Sequence, residues 1–287
     1  MREIVYTVPK SFEGVQAQDY LKAQGFSRRA LIRLKNSGGL SGNGELLRMV
    51  DIIHAGDRIT VRLPEESASP LPNNDLYAPI VYQDEDVVVF NKPPFMPVHP
   101  SIRHYDDTLA NLFAARFPGL AFRPVNRLDR NTSGLCVCAR SGFAAAALSK
   151  SVEKVYYAVT DGAPPGNTVD QPIGRTVKTD GSIIKRQVTP EGKPAVTHFE
   201  KAGGNERRTL LRITLETGRT HQIRVHMAYL GFPLCGDDMY GGDCSGINRQ
   251  ALHCGEVSFT QPVTRERIKV TAPMPDDMAA LLAEDHK

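Results

Sequence analysis

The sequence lacks the features that would place it in a membrane or in a disulfide-bonded secreted class. No apolar run reaches the roughly 18 residues that a membrane span requires, so no spanning helix is expected. The first ten residues, MREIVYTVPK, contain no apolar stretch of the kind found in signal peptides, and a cytoplasmic location is the default expectation. Cysteine is scarce: there are five, an odd number, with no CxxC spacing, which suits a reducing compartment better than a disulfide framework. Cys136 and Cys138 stand two apart in an apolar stretch and are expected to share one face of a strand. An excess of one charge is nearly missing too, since a net charge of +3 by itself argues for no nucleic acid. Internal repeats and low-complexity segments are absent.

What is present is ordinary for a globular protein: 41% hydrophobic and 23% charged residues over 287 positions. That length accommodates one large domain and one small one. The charge is unevenly distributed. Residues 1–62 hold ten Lys/Arg against six Asp/Glu, a surplus of four, so the remainder carries a balance of one negative charge. Positive potential sits in the N-terminal piece, where it would attract phosphates. Residues 64–75, PEESASPLPNND, read as a linker between a domain spanning 1–63 and one spanning 76–275. Residues 276–287 read as a short acidic helical tail.

In the small domain, residues 19–24 and 27–35 look like two short helices, with Ser27 as N-cap of the second. Arg29 and Arg33, four apart, project from one helical face, with Arg28 beside them. Gly42-Asn43-Gly44 marks a tight turn, and DRITVRL at 57–63 alternates as a strand. In the large domain, strands are expected at 80–82, 86–91, 134–139, 155–160, 195–201, 207–215, 255–259 and 267–271. Helices are expected at 108–117 and 141–152. Strands outnumber helices and do not alternate strictly with them, which predicts an α+β fold with a largely antiparallel, mixed sheet.

The densest polar cluster is NRLDRNTSG at 126–134, in which Asp129 stands between Arg127 and Arg130 just before the apolar LCVC. A carboxylate held by a cation stays ionised and ready to act as a nucleophile. Taken alone, such a cluster more often fixes a loop. A second polar stretch, GRTHQIRVHM at 218–227, is expected to form a helix capped by Thr220, with Ile223, Met227 and Leu230 toward the core. Arg219 would then stand at the helix start, free to reach a carboxylate or phosphate. His221 and His226 are five apart, roughly 140° around a helix, and His253-Cys254 fits no ligand pattern, so no metal site is expected.

Six stretches occur in the order of a known family: NKPPFMPVHP, NRLDRNTSG, KVYYAV, IKRQVTPEGKPAVTHF, GRTHQIRVHM with LGFPLCGDDMYGG, and RQALHC. Over about residues 78–275 the chain resembles the RluA-type pseudouridine synthases. The stretch before it, YLKAQGFSRRALIRLKNSG with GDRITV, resembles the small α+β RNA-binding module named after the fourth protein of the small ribosomal subunit. The resemblance implies a pseudouridine synthase fold and isomerisation of uridine in structured RNA. The appended module favours rRNA over tRNA, the isomerisation involves no redox change or donated group and so calls for no cofactor, and a monomer is the default expectation.

Residue by residue, Asp129 matches the family's essential aspartate and Tyr156 its active-site tyrosine. Arg219 matches the arginine that pairs with the aspartate. Leu252 matches an apolar residue beside the base, and Lys92 lies in the NKP motif near the cleft. Arg28, Arg29, Arg33, Arg127, Lys185 and Arg186 are the expected RNA contacts, the last two with Lys178 and Lys193 in a hairpin loop. Asn126 departs from the family, which usually carries histidine there. Two rivals remain on the sequence: an inactive RNA-binding protein, and a glycosidic hydrolase pairing Asp129 with Asp237 or Asp238.

Overall fold

The computed structural model describes residues 2–63, 70–101, 103–176 and 185–283. In chain order the elements of the N-terminal unit are β1 (Arg2–Thr7), β2 (Val15–Gln16), α1 (Ala17–Ala23), α2 (Arg28–Ser37), β3 (Leu40–Gly42), β4 (Glu45–Leu46), β5 (Ile52–Ile53) and β6 (Arg58–Leu63). Ser27 caps α2 by accepting the Ala30 amide at 3.2 Å, and Gly38 closes it in the left-handed region. Asn43 and Gly44 both take positive φ, the requirement of the two-residue turn that joins β3 to β4. One face of the sheet β1-β6-β3-β4 and the two helices enclose Ile4, Tyr20, Leu21, Phe26, Leu34, Ile59 and Val61. Arg28 is exposed, while the side chains of Arg29 and Arg33 lie outside the described residues.

The large unit contains β7 (Ile80–Gln83), β8 (Val87–Lys92), α3 (Leu109–Arg116), β9 (Ser133–Ala139), α4 (Gly142–Leu148), β10 (Glu153–Asp161), β11 (Thr168–Asp170), β12 (Ile173–Arg175), β13 (Arg186–Val188), β14 (Val196–Gly204), β15 (Arg208–Leu215), α5 (Gln222–Tyr229), β16 (Leu252–Thr260), β17 (Arg267–Thr271) and α6 (Asp276–Ala280). Nine strands form one sheet in the order β11-β14-β15-β10-β16-β9-β8-β7, with β17 also on β16. All its pairings are antiparallel except β16 with β9. The fold is therefore α+β with a mixed, mostly antiparallel sheet, as the strand-rich pattern predicts.

The parallel contact is short, His253 to Ser133 and Cys254 to Gly134. Gly134 has φ +111° and a Cβ on it would overlap the Cys254 backbone, so only glycine fits where these strands meet. Every residue of β9 is buried, which places Cys136 and Cys138 in the core as the spacing suggests, with the intervening Val137 equally covered by the opposite face.

Two segments expected to lie outside the large unit make contacts with it. Within the linker, Asn111 Nδ2 donates to Leu71 O at 2.8 Å and Asn73 Nδ2 to Asp106 O at 2.8 Å, so the chain is already bound to the large unit there. The acidic tail is built in as well: Met278 and Leu281 pack with Val159, Cys235 and Ile247. The buried guanidinium of Arg249 takes Asp277 in a two-pronged ion pair, both contacts at 2.7 Å.

The two units share an apolar seam. Phe143 at the start of α4 is 1% exposed and belongs to the N-terminal core, with its ring centroid 4.4 Å from that of Phe26. Arg265 reinforces the seam by donating to Gln24 O at 2.7 Å. Phe143→Ala is expected to cost about 3 kcal/mol, read as a fall in the thermal midpoint together with faster proteolytic cutting between the units; an unchanged midpoint would contradict the seam.

Candidate active site

The loop before β9 carries Asp129 and is fastened at almost every residue. Asn126 donates from Nδ2 to Leu135 O at 3.0 Å and accepts the Val137 amide at 2.8 Å, clamping the loop along β9. Asp129 O accepts the Thr132 amide at 3.1 Å. The carbonyl of Arg130 accepts from Lys92 Nζ at 3.1 Å, and Thr132 Oγ1 accepts from Gln250 Nε2 at 3.1 Å. Ser133 Oγ meets His253 Nδ1 at 3.0 Å. Such backbone support leaves the carboxylate of Asp129 little freedom to turn away.

Asp129 is 27% exposed, and its Oδ2 accepts from Arg224 Nη1 at 3.1 Å. Arg224 sits on α5, almost fully buried, and its other two donors go to Asp237: Nε to Oδ2 at 2.7 Å and Nη2 to Oδ1 at 2.8 Å. Burial works against the charge of Arg224, but the bonds and charge of Asp237, and then of Asp129, more than offset it and hold the guanidinium protonated. The arginine that pairs with Asp129 is therefore Arg224 and not Arg219. The expected helix start at Thr220 is also displaced. His221 is the N-cap of α5, in the left-handed region with φ 58° and no side-chain cap bond. Gln222 Oε1 instead accepts the Arg219 amide at 2.9 Å, and Arg219 Nε donates to Pro194 O at 2.9 Å. The helix thus starts one residue later than expected, at Gln222, and it is Arg224 in its first turn, rather than Arg219, that reaches Asp129.

An open cleft lies over this carboxylate. Asp129, Tyr156, Arg127, Arg219 and Leu252 of the expected set all line it, joined by His221 and Arg224. Tyr156 on β10 and Leu252 at the start of β16 supply apolar walls. Burial, followed by the neighbouring Cys254 and Asp129, pushes the Tyr156 phenol well above its ordinary value, so it stays neutral. Arg127 is exposed, and neither it nor Arg130 makes an ion pair with Asp129, contrary to the idea that its sequence neighbours hold it.

Lys92 is fully buried beneath the loop, donating to Pro93 O at 2.8 Å as well as to Arg130 O. It supports the loop and touches no surface where RNA could lie. Burial lowers its pKa to about 7, with Cys136 and Asp129 acting in the opposite direction. Lys185 and Arg186 sit on the edge of β13, where the Lys185 ammonium lies 5.3 Å from the ring of Tyr240. Lys178 lies outside the described residues.

The histidines considered as ligands have other partners. His226 is buried between Thr197 Oγ1 at 2.8 Å and Gln171 O at 2.9 Å. Asp237, one of the two carboxylates considered for a hydrolase, is fully buried behind Arg224 and absent from the cleft lining, so it reaches no substrate water. Tyr240 and Arg224 escaped the sequence reading, and Asp237 entered it only as a possible hydrolase carboxylate. Arg224 left one signal, a lone guanidinium inside the otherwise buried QIRVHM, which demands a buried counter-charge.

A fastened carboxylate paired to a buried arginine thus lies in a cleft walled by a neutral phenol and a leucine. Residues 86–229 match the family described as RNA pseudouridylate synthase, a span that includes Asp129, Tyr156 and Arg224. The chain is 42% identical over 288 aligned positions, covering 94% of it and 99% of its relative, to an uncharacterized RNA pseudouridine synthase of Bacillus subtilis (strain 168), YjbO. It is 38% identical to the ribosomal large subunit pseudouridine synthase D of Vibrio parahaemolyticus serotype O3:K6, covering 89% and 86% of the two chains. Among solved structures, human RNA pseudouridylate synthase domain containing 1 superposes with a TM-score of 0.59 at 27% identity, covering 75% and 94%. The chain belongs to the RNA pseudouridine synthase family and is an isomerase that acts on RNA. Among the described residues, no helix is long and apolar enough to cross a membrane.

Replacing Arg224 by methionine strands Asp237 as a buried charge and frees Asp129 to turn. It is expected to cost about 3–5 kcal/mol, measured by denaturant unfolding. Adding Asp237→Asn to that variant should restore part of the stability and none of the activity.

Proposed function

We propose that this enzyme converts uridine to pseudouridine in structured ribosomal RNA in the cytoplasm, with Asp129 as the reacting carboxylate and the target nucleotide flipped out of its stack. The observation that carries this reading is the aim of Asp129: bonded to Arg224, backed by a pinned loop, and partly exposed at the floor of a cleft with Tyr156 and Leu252 as walls. The reaction breaks the bond between ribose and uracil N1, turns the base, and joins C5 to the same anomeric carbon. The C5 proton is lost and N1 is protonated. Electrons balance within the nucleotide, and no group is donated, so no cofactor is called for. Asp129 either attacks the anomeric carbon or takes the proton from the adjacent ribose carbon to give a glycal; both routes need a carboxylate held in place, as the Arg224 bond holds this one.

Either route requires access to the sugar and to both base faces, hence extrusion from the stack at a cost of a few kcal/mol. Arg127 and Arg219 at the cleft rim offer charge to the gap and to adjacent phosphates. The positive surplus of residues 1–62, with Arg28, Arg29 and Arg33 on α2, suits grip on a folded backbone, where phosphate contacts supply affinity. Ribosomal RNA is favoured by that appended unit and by the name of the Vibrio relative. Arg186 on β13 extends the basic rim beside Arg219, with Lys185 just before it in the chain.

The decisive measurement treats RNA carrying tritium at uracil C5. Wild type should release tritium while retaining the base in the RNA, and Asp129→Asn should lose more than about a thousandfold in rate, the scale of losing a reacting group. Equal release by the mutant would assign the chemistry to another residue, and free uracil would mean hydrolysis. Alanine at Lys185 and Arg186 together should weaken RNA binding and lower the slope of log K against log salt by about 1 to 2; an unaltered slope would remove β13 from the interface.

A further inference from the structure

His221 enters the cleft from an unusual backbone. Its φ of 58° is a left-handed conformation that a residue with a β-carbon adopts only at a cost. That conformation turns the chain from Arg219-Thr220 into α5 and carries the imidazole over the cleft, where Nε2 stands 3.8 Å from Asp129 Oδ2. The other ring nitrogen, Nδ1, lies 3.0 Å from the hydroxyl of Tyr240.

The proton positions follow from the third partner. The Arg186 amide, which can only donate, reaches Tyr240 Oη at 3.1 Å. Having accepted that bond, the phenol has its one proton to give, and the acceptor it faces among the described residues is His221 Nδ1. In that arrangement Nδ1 is unprotonated and Nε2 carries the hydrogen, on the side of Asp129. The 3.8 Å separation is longer than a hydrogen bond, a distance that tightening around a substrate can close.

We propose that His221 is a positioning residue of the isomerase centre, fixed by Tyr240 in the Nε2–H tautomer so that it presents a second donor to Asp129 opposite a reacting sugar. The proposal rests on Asp129 being the reacting group. Through the same bonds, Tyr240 joins the β13 strand to the centre. Its ring has the Arg224 guanidinium at 5.0 Å and the Lys185 ammonium at 5.3 Å from its centroid, and its hydroxyl holds the Arg186 backbone. Seating of β13 against RNA is thereby felt at His221 and at Arg224, the two groups that orient Asp129.

The charged groups facing His221 come from four segments: Asp129 from the loop before β9, Arg224 from α5, Asp237 from the coil before β16, and Arg186 from β13. Burial lowers the imidazole pKa, with Asp129 acting in the opposite direction, so the neutral ring suits the assigned tautomer. Tyr240→Phe keeps the ring between its two cations and removes only the donor to Nδ1. Nδ1 then becomes free to take a proton, and the resulting cation would bind Asp129 and blunt it.

The test has two independent readouts. In nitrogen-15 imidazole spectra, which need no turnover, wild type should show His221 as the Nε2–H tautomer, and Tyr240→Phe should show a mixture that protonates at higher pH. In single-turnover tritium release, His221→Ala and Tyr240→Phe should be slower by about ten- to a hundredfold with RNA affinity retained. His221→Gln, which keeps an N–H donor at the same backbone strain, should recover most of the rate. Only Tyr240→Phe should lose further rate below about pH 6.5, the ordinary imidazole range. An Nδ1–H tautomer in wild type, an unimpaired alanine variant, or glutamine and alanine variants equally slow would each overturn the proposal. A wild-type protein with the assigned tautomer but no tritium release would count against the function, not against the tautomer.

Discussion

Arg224, almost fully buried, is shared between two carboxylates, and the centre depends on how that sharing is divided. Asp237 takes Nε and Nη2 together, the planar two-pronged match that guanidinium makes best. This leaves Nη1, held rigidly, for Asp129. The deeper carboxylate therefore fixes the fork, and the outer one is oriented by it. A lysine could neutralise charge here but could not transmit orientation, since an ammonium has no fixed plane. Asp237 is fully buried, so its attraction to the guanidinium is little screened, and the partly exposed Asp129 remains available to a substrate.

The rest of the large unit keeps this arrangement in register. Asp129 comes from the loop before β9, Arg224 from α5, Tyr156 from β10 and Leu252 from β16, and the sheet order sets β10, β16 and β9 side by side. The parallel contact of β9 with β16 brings the Asp129 loop against Leu252, and glycine at 134 is what lets the two backbones approach that closely. Buried cations then serve the loop instead of the surface. Lys92 binds its Arg130 carbonyl from below, and Arg249 runs from Asp277 toward the carbonyls of Asn131, Gln250 and Leu252. Buried polar groups satisfied in this way make a loop behave as part of the scaffold.

Much of this was legible from residue patterns. The strand-rich alternation predicted a mostly antiparallel α+β sheet, the Asn43-Gly44 turn and the Ser27 cap fell where expected, and Ile223 and Met227 faced the core. Asp129, Tyr156, Arg127 and Leu252 gather around one cleft. Errors arose where a local rule had a nonlocal competitor. Thr220 is a good N-cap by type, yet Gln222 reaches back to the Arg219 amide and His221 accepts a left-handed backbone, which moves the helix start. Lys92 was expected at the RNA cleft from its place in the NKP motif. Nothing near it in sequence reveals that the Arg130 carbonyl, 38 residues away, requires a donor there.

The sequence by itself determined the fold class, the family and the list of polar motifs, because periodicity and ordered motifs are local properties that survive without coordinates. Only the tertiary structure decided which arginine holds Asp129, which lysine supports its loop, and which phenol faces His221. Those choices depend on pairings such as Asp129 with Arg224, 95 residues apart, and on where the helix that carries Arg224 begins. Charge pairing acts through space over a few ångströms, and distance along the chain carries almost no information about it.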